Sequence, residues 1–130
     1  MTVPLNTQTH VISIYKVPNY YTRIKMVFTN QMVVTPVRGA GRSHGIFVME
    51  RLMDAAAKEL NMDPVEIRRK NILPQESLPF RTGVIGQDFV ENILDSGNYP
   101  LALEKTVEAI EYDKFKKEIQ PKLRAEGKHK

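Results

Sequence analysis

The sequence predicts an α+β chain, with one antiparallel strand pair followed by three to four helices. Two short apolar–polar alternations, a long helical periodicity from Ile46 and two later capped apolar stripes carry that prediction. The alternations are "HVISIYKV" and "TRIKMVFTN", which place strands at about residues 10–30 with Ile24, Met26 and Phe28 on one face and Arg23 and Lys25 on the other. "PNYY" between them supplies the turn chemistry of a proline and an asparagine.

From Ile46, the positions Met49, Met53, Ala56, Ala57 and Leu60 recur at helical spacing, with Glu50, Asp54, Lys58 and Glu59 opposite them. A helix over about 45–60 follows, and its apolar first turn "GIFVM" is expected to lie deeper than its end. "MDPVEIRRKNILP" carries Asp63 as an N-cap, Pro64 at the first helical position, Glu66 in capping-box position and Asn71 before Pro74, which predicts a helix at 63–71. Residues 74–98 are rich in Pro, Gly, Ser and Asn and read mostly as loop, although "VIGQDFVENIL" can hold a strand or a helical turn. Asn98 caps a helix over 99–111, and a last one over 113–127 contains Pro121 and stops at Gly127. The whole of 1–130 reads as a single segment without internal repeats.

Composition excludes several functions. The chain has 130 residues, 42% of them hydrophobic and 26% charged, with no cysteine. Disulfides, thiolate metal sites and a protein-held iron–sulfur cluster are therefore absent, and any redox centre is borrowed. The formal net charge of +4 is carried by the stretch from Asp113 onward, without the interleaved aromatics that stack on bases, so no nucleic-acid partner is expected. No signal-like or membrane-spanning apolar run occurs, which places the chain in the cytoplasm and off the membrane.

His10, His44 and His129 share no metal-ligand spacing, so no metal ligand is assigned. There is no G-x-S-x-G elbow and no Walker-type loop. The stretch that asks for an explanation is "TPVRGAGRSHG", residues 35–45, a Gly-rich turn with arginines at 38 and 42 running straight into a helix. The plain reading is a tight strand-to-helix turn, in which Gly39 and Gly41 supply positive φ. The functional reading is an anion or oxo-group site, since flanking guanidiniums and a helix start both favour negative charge.

In their surroundings these residues resemble a family. "YKVPN", "TN", "RGAGR", "ERLMDAAAKELNMDPVEIRRKN" and "DSGNY" occur in the order found in the molybdenum-binding large subunit of the xanthine oxidase and aldehyde oxidase family of molybdenum hydroxylases. The resemblance runs from about Tyr15 to Gly127, and "RGAGR" is similar to the loop of form II carbon monoxide dehydrogenase-like subunits. The copper-binding version of that loop carries a cysteine, absent here. Aldehyde or N-heterocycle hydroxylation is therefore the implied activity, on a partial molybdopterin-binding domain.

The resemblance implies that Val37, Arg38, Gly39, Ala40, Gly41 and Arg42 form the cofactor-binding loop. Within it, Arg38 would be the catalytic residue that helps place substrate, and Ala40 would line the pocket. It implies a molybdenum–pterin cofactor shared with partner chains, with iron–sulfur centres and FAD held only by partner subunits. The chain departs from the family pattern at "PV" before Arg38 and at "SHG", which leaves His44 without a role. Family subunits are several times longer, and their general-base glutamate, in a "G-x-G-E" context, has no match here. Alone, the chain is expected to be inactive and to self-associate through surface built for neighbours. The rival readings are a non-catalytic protein-interaction module and a truncated remnant of such a subunit.

Overall fold

The structure is a computed structural model describing residues 2–33 and 35–128. Its elements in order are α1 (Thr2–His10), α2 (Arg42–Glu59), α3 (Pro64–Asn71), a 3-10 turn (Gln75–Ser77), β1 (Phe80–Ile85), β2 (Glu91–Leu94), α4 (Tyr99–Ala109), α5 (Tyr112–Lys114), a π-helical turn (Phe115–Ile119) and α6 (Gln120–Ala125). One antiparallel strand pair accompanies the helices, giving an α+β architecture.

The centre of the molecule is α2, with α1 against its start and α3 against its end. Between them lie the buried apolar side chains Ile12, Tyr15, Met49, Ala57, Val65, Ile67 and Leu73. A short crossing closes this core: Tyr15 bridges Ile72, Lys16 N donates to Asn71 O at 2.8 Å, and Leu73 N donates to Ile14 O at 3.0 Å.

The helix ends follow local chemistry. Asp63 Oδ1 accepts from Val65 N at 2.7 Å and Glu66 N at 3.3 Å, satisfying orphan donors at the start of α3. The Glu66 carboxylate pairs with Arg69 on the next turn. Asn98 Oδ1 caps α4 by accepting from Leu101 N at 3.0 Å. α2 ends in a Schellman arrangement on left-handed Asn61, and α6 ends in one on Gly127. Pro121 lies in the first turn of α6, where no N–H is needed, directly after the widened π-helical turn.

Two sequence expectations are corrected. No strand forms among the described residues of 10–30: Thr2–His10 is helical, and beyond the single bridge at Tyr15 the described backbone to Pro36 has no regular structure. The strand pair lies instead at Phe80–Ile85 and Glu91–Leu94, in a stretch read mostly as loop. The reason is that alternation specifies which side chains share a face and says nothing of where the second strand comes from. Among the described residues, 17–33 join neither open edge of the β1–β2 pair, and those two strands pair only with each other, in register Phe80↔Leu94, Arg81↔Ile93 and Ile85↔Glu91. Their turn closes by Gly86 N donating to Val90 O at 2.8 Å, and the register breaks near Gly83, whose φ is +72°. The second correction concerns "GIFVM": only Gly45 and Met49 are buried, while Ile46, Phe47 and Val48 are exposed, Phe47 at 66%.

Asp63 also ties the end of the chain to the core, accepting from Tyr112 Oη at 3.1 Å and pairing with Lys116. Burial opposes ionisation of this carboxyl, but the Lys116 ammonium, the Val65 N–H and the Tyr112 hydroxyl outweigh it and hold it below the usual carboxylate range. A folded-state value below the unfolded one stabilises above the unfolded pKa and is lost as pH falls through the folded one. Stability of the wild-type chain is therefore expected to decline below about pH 4, and Asp63→Asn should flatten that part of a urea-midpoint versus pH curve. An unaltered acid limb in Asp63→Asn would show that other carboxylates set it.

Candidate functional site

The sequence "RGAGR" becomes three consecutive left-handed residues: Gly39 at φ +98°, Ala40 at +46° and Gly41 at +100°. Ala40 N donates to Val37 O at 2.7 Å and Arg42 N to Gly39 O at 2.9 Å, so the chain turns tightly before α2 begins. A left-handed alanine costs roughly 1 kcal/mol and persists only where neighbours fix it. Here α1 does so. Asn6 Nδ2 donates to Ala40 O at 3.1 Å, and Thr7 Oγ1 lies 3.0 Å from Gly41 O and 2.9 Å from Val3 O. Asn6 and Thr9 are the buried polar residues of α1, and Asn6 carries the brace.

The two glycines of the motif do different work. A Cβ on Gly41 would stand 2.2 Å from Val3 O and 2.8 Å from Thr7 Oγ1, so α1 occupies the space a side chain would need. Gly45, one turn on, meets Thr7 O at 2.5 Å in the same way, and the two let α1 lie against α2. Gly39 is open: the nearest atom to its would-be Cβ is Ser43 Oγ at 3.7 Å. Gly39 serves the turn, and Gly41 serves the packing.

Val37, Arg38 and Arg42 project from this turn into solvent, and His44 is exposed on the first turn of α2. Among the described residues no side chain caps the N-terminus of the 18-residue helix α2, and its first turn has no acidic residue. Among the same residues neither Arg38 nor Arg42 pairs with a carboxylate. The Arg42 N–H is taken by Gly39 O and the His44 and Gly45 N–H groups by Gly41 O, so the donors this turn presents are chiefly the guanidiniums of Arg38 and Arg42, which suit an anionic or oxo-bearing group. Beside Arg42 a groove of about 470 Å³ runs between α1 and the β1–β2 turn, lined by His10, Asn6, Asp88 and Asp95 among others. His10 Nδ1 is 2.9 Å from Asn6 O, which directs its other ring nitrogen elsewhere. Among the described residues no cluster of His, Asp and Glu could hold a metal ion.

The sequence-assigned residues 37–42 thus come together on one turn, with Val37, Arg38 and Arg42 exposed, Gly39 and Ala40 half-buried and Gly41 buried against α1. Sequence reasoning missed its support, Asn6 and Thr7, which act across 34 positions and carry no local signature. The remaining polar cluster is structural. Arg68 links α3 to α2 by donating to Glu50 Oε2 at 2.9 Å and Asp54 Oδ1 at 3.0 Å, and Tyr15 Oη donates to Glu50 Oε1 at 2.8 Å. Burial and that acceptor push the Tyr15 phenol up to about 12.

Fold and turn together define a segment that presents a cationic loop, braced by α1, at the head of a long helix. Residues 1–72, more than half of the chain, match the molybdopterin cofactor-binding domain, and the chain belongs to that family. It is 34% identical over 88% of its length to the 6-hydroxypseudooxynicotine dehydrogenase complex subunit gamma of Paenarthrobacter nicotinovorans, covering 14% of that protein. It is 33% identical over 80% of its length to the carbon monoxide dehydrogenase large chain of Hydrogenophaga pseudoflava, covering 12% of it. A solved carbon monoxide dehydrogenase from Oligotropha carboxidovorans superposes on 66% of the chain with a TM-score of 0.54 at 28% identity, covering 10% of that structure. The chain thus spans about one seventh of the length of these curated relatives. It is similar to one segment of molybdenum hydroxylase large subunits, which act within multi-subunit complexes.

Proposed function

We propose that this chain contributes one wall of a molybdenum hydroxylase active site, completed by the remaining segments of a molybdenum subunit. The observation that carries the reading is the coincidence of the cofactor-domain match over residues 1–72 with a cationic turn at 37–42 whose Val37, Arg38 and Arg42 are exposed and which leads into a helix without a side-chain cap. The donor chemistry of that turn fits an anionic pterin cofactor with its metal-oxo group. When bound, the cofactor supplies two-electron oxidation of a C–H bond, with water as the source of oxygen. The turn's own residues then have separate tasks. Gly39 keeps the approach open, Arg38 holds the substrate's developing negative charge in place, and Ala40 leaves room for a flat substrate. Arg42 faces the groove beside α1, Val37 lies exposed at the start of the turn, and Gly41 acts indirectly, by seating α1 so that the turn is held in place.

The proposed substrate class is an aldehyde or an N-heterocycle, and electrons leave through iron–sulfur and flavin groups in partner subunits. No helix among the described residues is long and apolar enough to cross a membrane. The isolated chain would self-associate through Ile46, Phe47, Val48 and Leu52, which are exposed on one helix without a covering element among the described residues.

Replacing Arg38 by Ala in an active complex tests the assignment. Turnover should fall by about 100-fold, the order lost with one preorganised donor, while the thermal midpoint stays within a degree or so. Unchanged turnover would remove Arg38 from the site.

A further inference from the structure

We propose that residues 22–28, "TRIKMVF", form a docking strand that adds to the sheet edge of a partner whose pairing strand alternates apolar residues with carboxylates. The inference rests on the proposed function only for the partner's identity as another segment of the molybdenum subunit.

Three observations carry it. From Val17 to Val33 no backbone–backbone hydrogen bond forms among the described residues, so a row of donors and acceptors is left for a partner. Among the described residues the segment is held only at its start, where Tyr20 Oη donates to Gln8 O at 2.5 Å and Gln8 Nε2 bonds Thr22 Oγ1. Beyond that anchor, side chains that would share one face of a strand are exposed, Met26 at 53% and Phe28 at 96%. A segment with strand periodicity, an apolar face and free backbone groups is what β-augmentation uses.

Charge decides between possible occupants. The first 49 residues contain five Lys and Arg residues, Lys16, Arg23, Lys25, Arg38 and Arg42, and no acidic one. None of the five has a carboxylate partner among the described residues, whereas Arg51, Arg68, Arg69 and Arg81 all do. Arg23 and Lys25 lie on the polar face of the segment, so pairing with a second copy would set like charges opposite each other, which destabilises a ladder. A partner strand with glutamate or aspartate at those positions satisfies both faces. A membrane surface would accept the cations but has no use for period-two alternation.

The test uses the full chain and two short blocked peptides, one alternating valine with glutamate and one alternating valine with lysine, followed by binding titration and amide hydrogen exchange. The glutamate peptide should bind and slow exchange at 22–28 without changing exchange in β1 and β2. The lysine peptide should not bind. Lys25→Glu should weaken the glutamate peptide by about two- to fivefold, the value of one cross-strand charge pair. Adjacent strand N–H groups point to opposite edges, so one of Lys25→Pro and Met26→Pro should abolish binding and the other should not. Both prolines fall where no backbone bond is made among the described residues, and unchanged helical circular dichroism confirms their folds. Equal binding of the two peptides, no binding, protection outside 22–28, or capture by phosphatidylserine vesicles in place of the peptide would each overturn the proposal. No molybdenum enters the experiment, so it can fail while the cofactor reading stands, and the converse.

Discussion

Gly41→Ala should destabilise the chain by at least about 3 kcal/mol, combining backbone strain with overpacking, and should detach α1 from the head of α2. The added methyl would have to sit 2.2 Å from Val3 O and 2.9 Å from Val3 C, both backbone atoms that cannot rotate away. The residue would also have to hold φ near +100°, outside the range that L side chains tolerate. Urea unfolding should show a lower midpoint, and amide exchange in residues 2–10 should rise more than in α3. Gly39→Ala provides the internal comparison. Its φ is equally positive, but its Cβ would meet only Ser43 Oγ at 3.7 Å, so it should cost about 1–2 kcal/mol from strain alone. Equal losses for the two variants would show that turn conformation, and not the seat of α1, makes Gly41 necessary.

Arg68→Met should cost about 2 kcal/mol by leaving the Glu50 and Asp54 carboxylates facing each other without their shared cation. The guanidinium also donates to Pro64 O at 2.8 Å and to Glu50 O at 3.1 Å, so one side chain joins the start of α3 to the middle of α2. The figure stays below that of a fully buried pair because both carboxylate side chains are about a third exposed and partly screened by water. Desolvation works against the charge on Arg68, yet the hydrogen bonds to Glu50 and Asp54 outweigh it and raise the guanidinium's pKa. A triple Glu50→Gln, Asp54→Asn, Arg68→Met chain should recover part of the loss, since no carboxylate is then stranded. If the single and triple variants were equally unstable, the loss would come from the packing of the Arg68 stem and its carbonyl bonds.

What the sequence made legible was local. The caps at Asp63 and Asn98 and the stop at Gly127 depend on residues within a few positions of each other, and each forms where its neighbours dictate. The tight turn at 38–42 was legible for the same reason, since two glycines before a helical stripe permit little else. The strand expected within 10–30 was not decidable locally, because alternation does not say which edge a strand joins, and among the described residues this stretch joins neither open edge of the β1–β2 pair. The hairpin at 80–94 was obscured by its own glycines, although Gly86 and Asp88 mark its turn. The braces from Asn6 and Thr7 to the turn join residues 34 positions apart, and nothing in "LNTQT" announces them. The apolar start of α2 shows the same division: its pattern was plain, while no described residue covers Phe47.

The central claim is that residues 37–42 face a molybdenum–pterin cofactor in an assembly with other subunit segments. The most direct measurement is to purify the chain from its own cells with the subunits bound to it, then quantify molybdenum by mass spectrometry and pterin by fluorescence after oxidation. The account predicts molybdenum and pterin in stoichiometric amounts with the complex, both lost when Arg38 and Arg42 are replaced together by Ala while the complex still assembles. A stable complex with its partner subunits that contains neither molybdenum nor pterin would contradict it, and would leave this chain as a protein-interaction module.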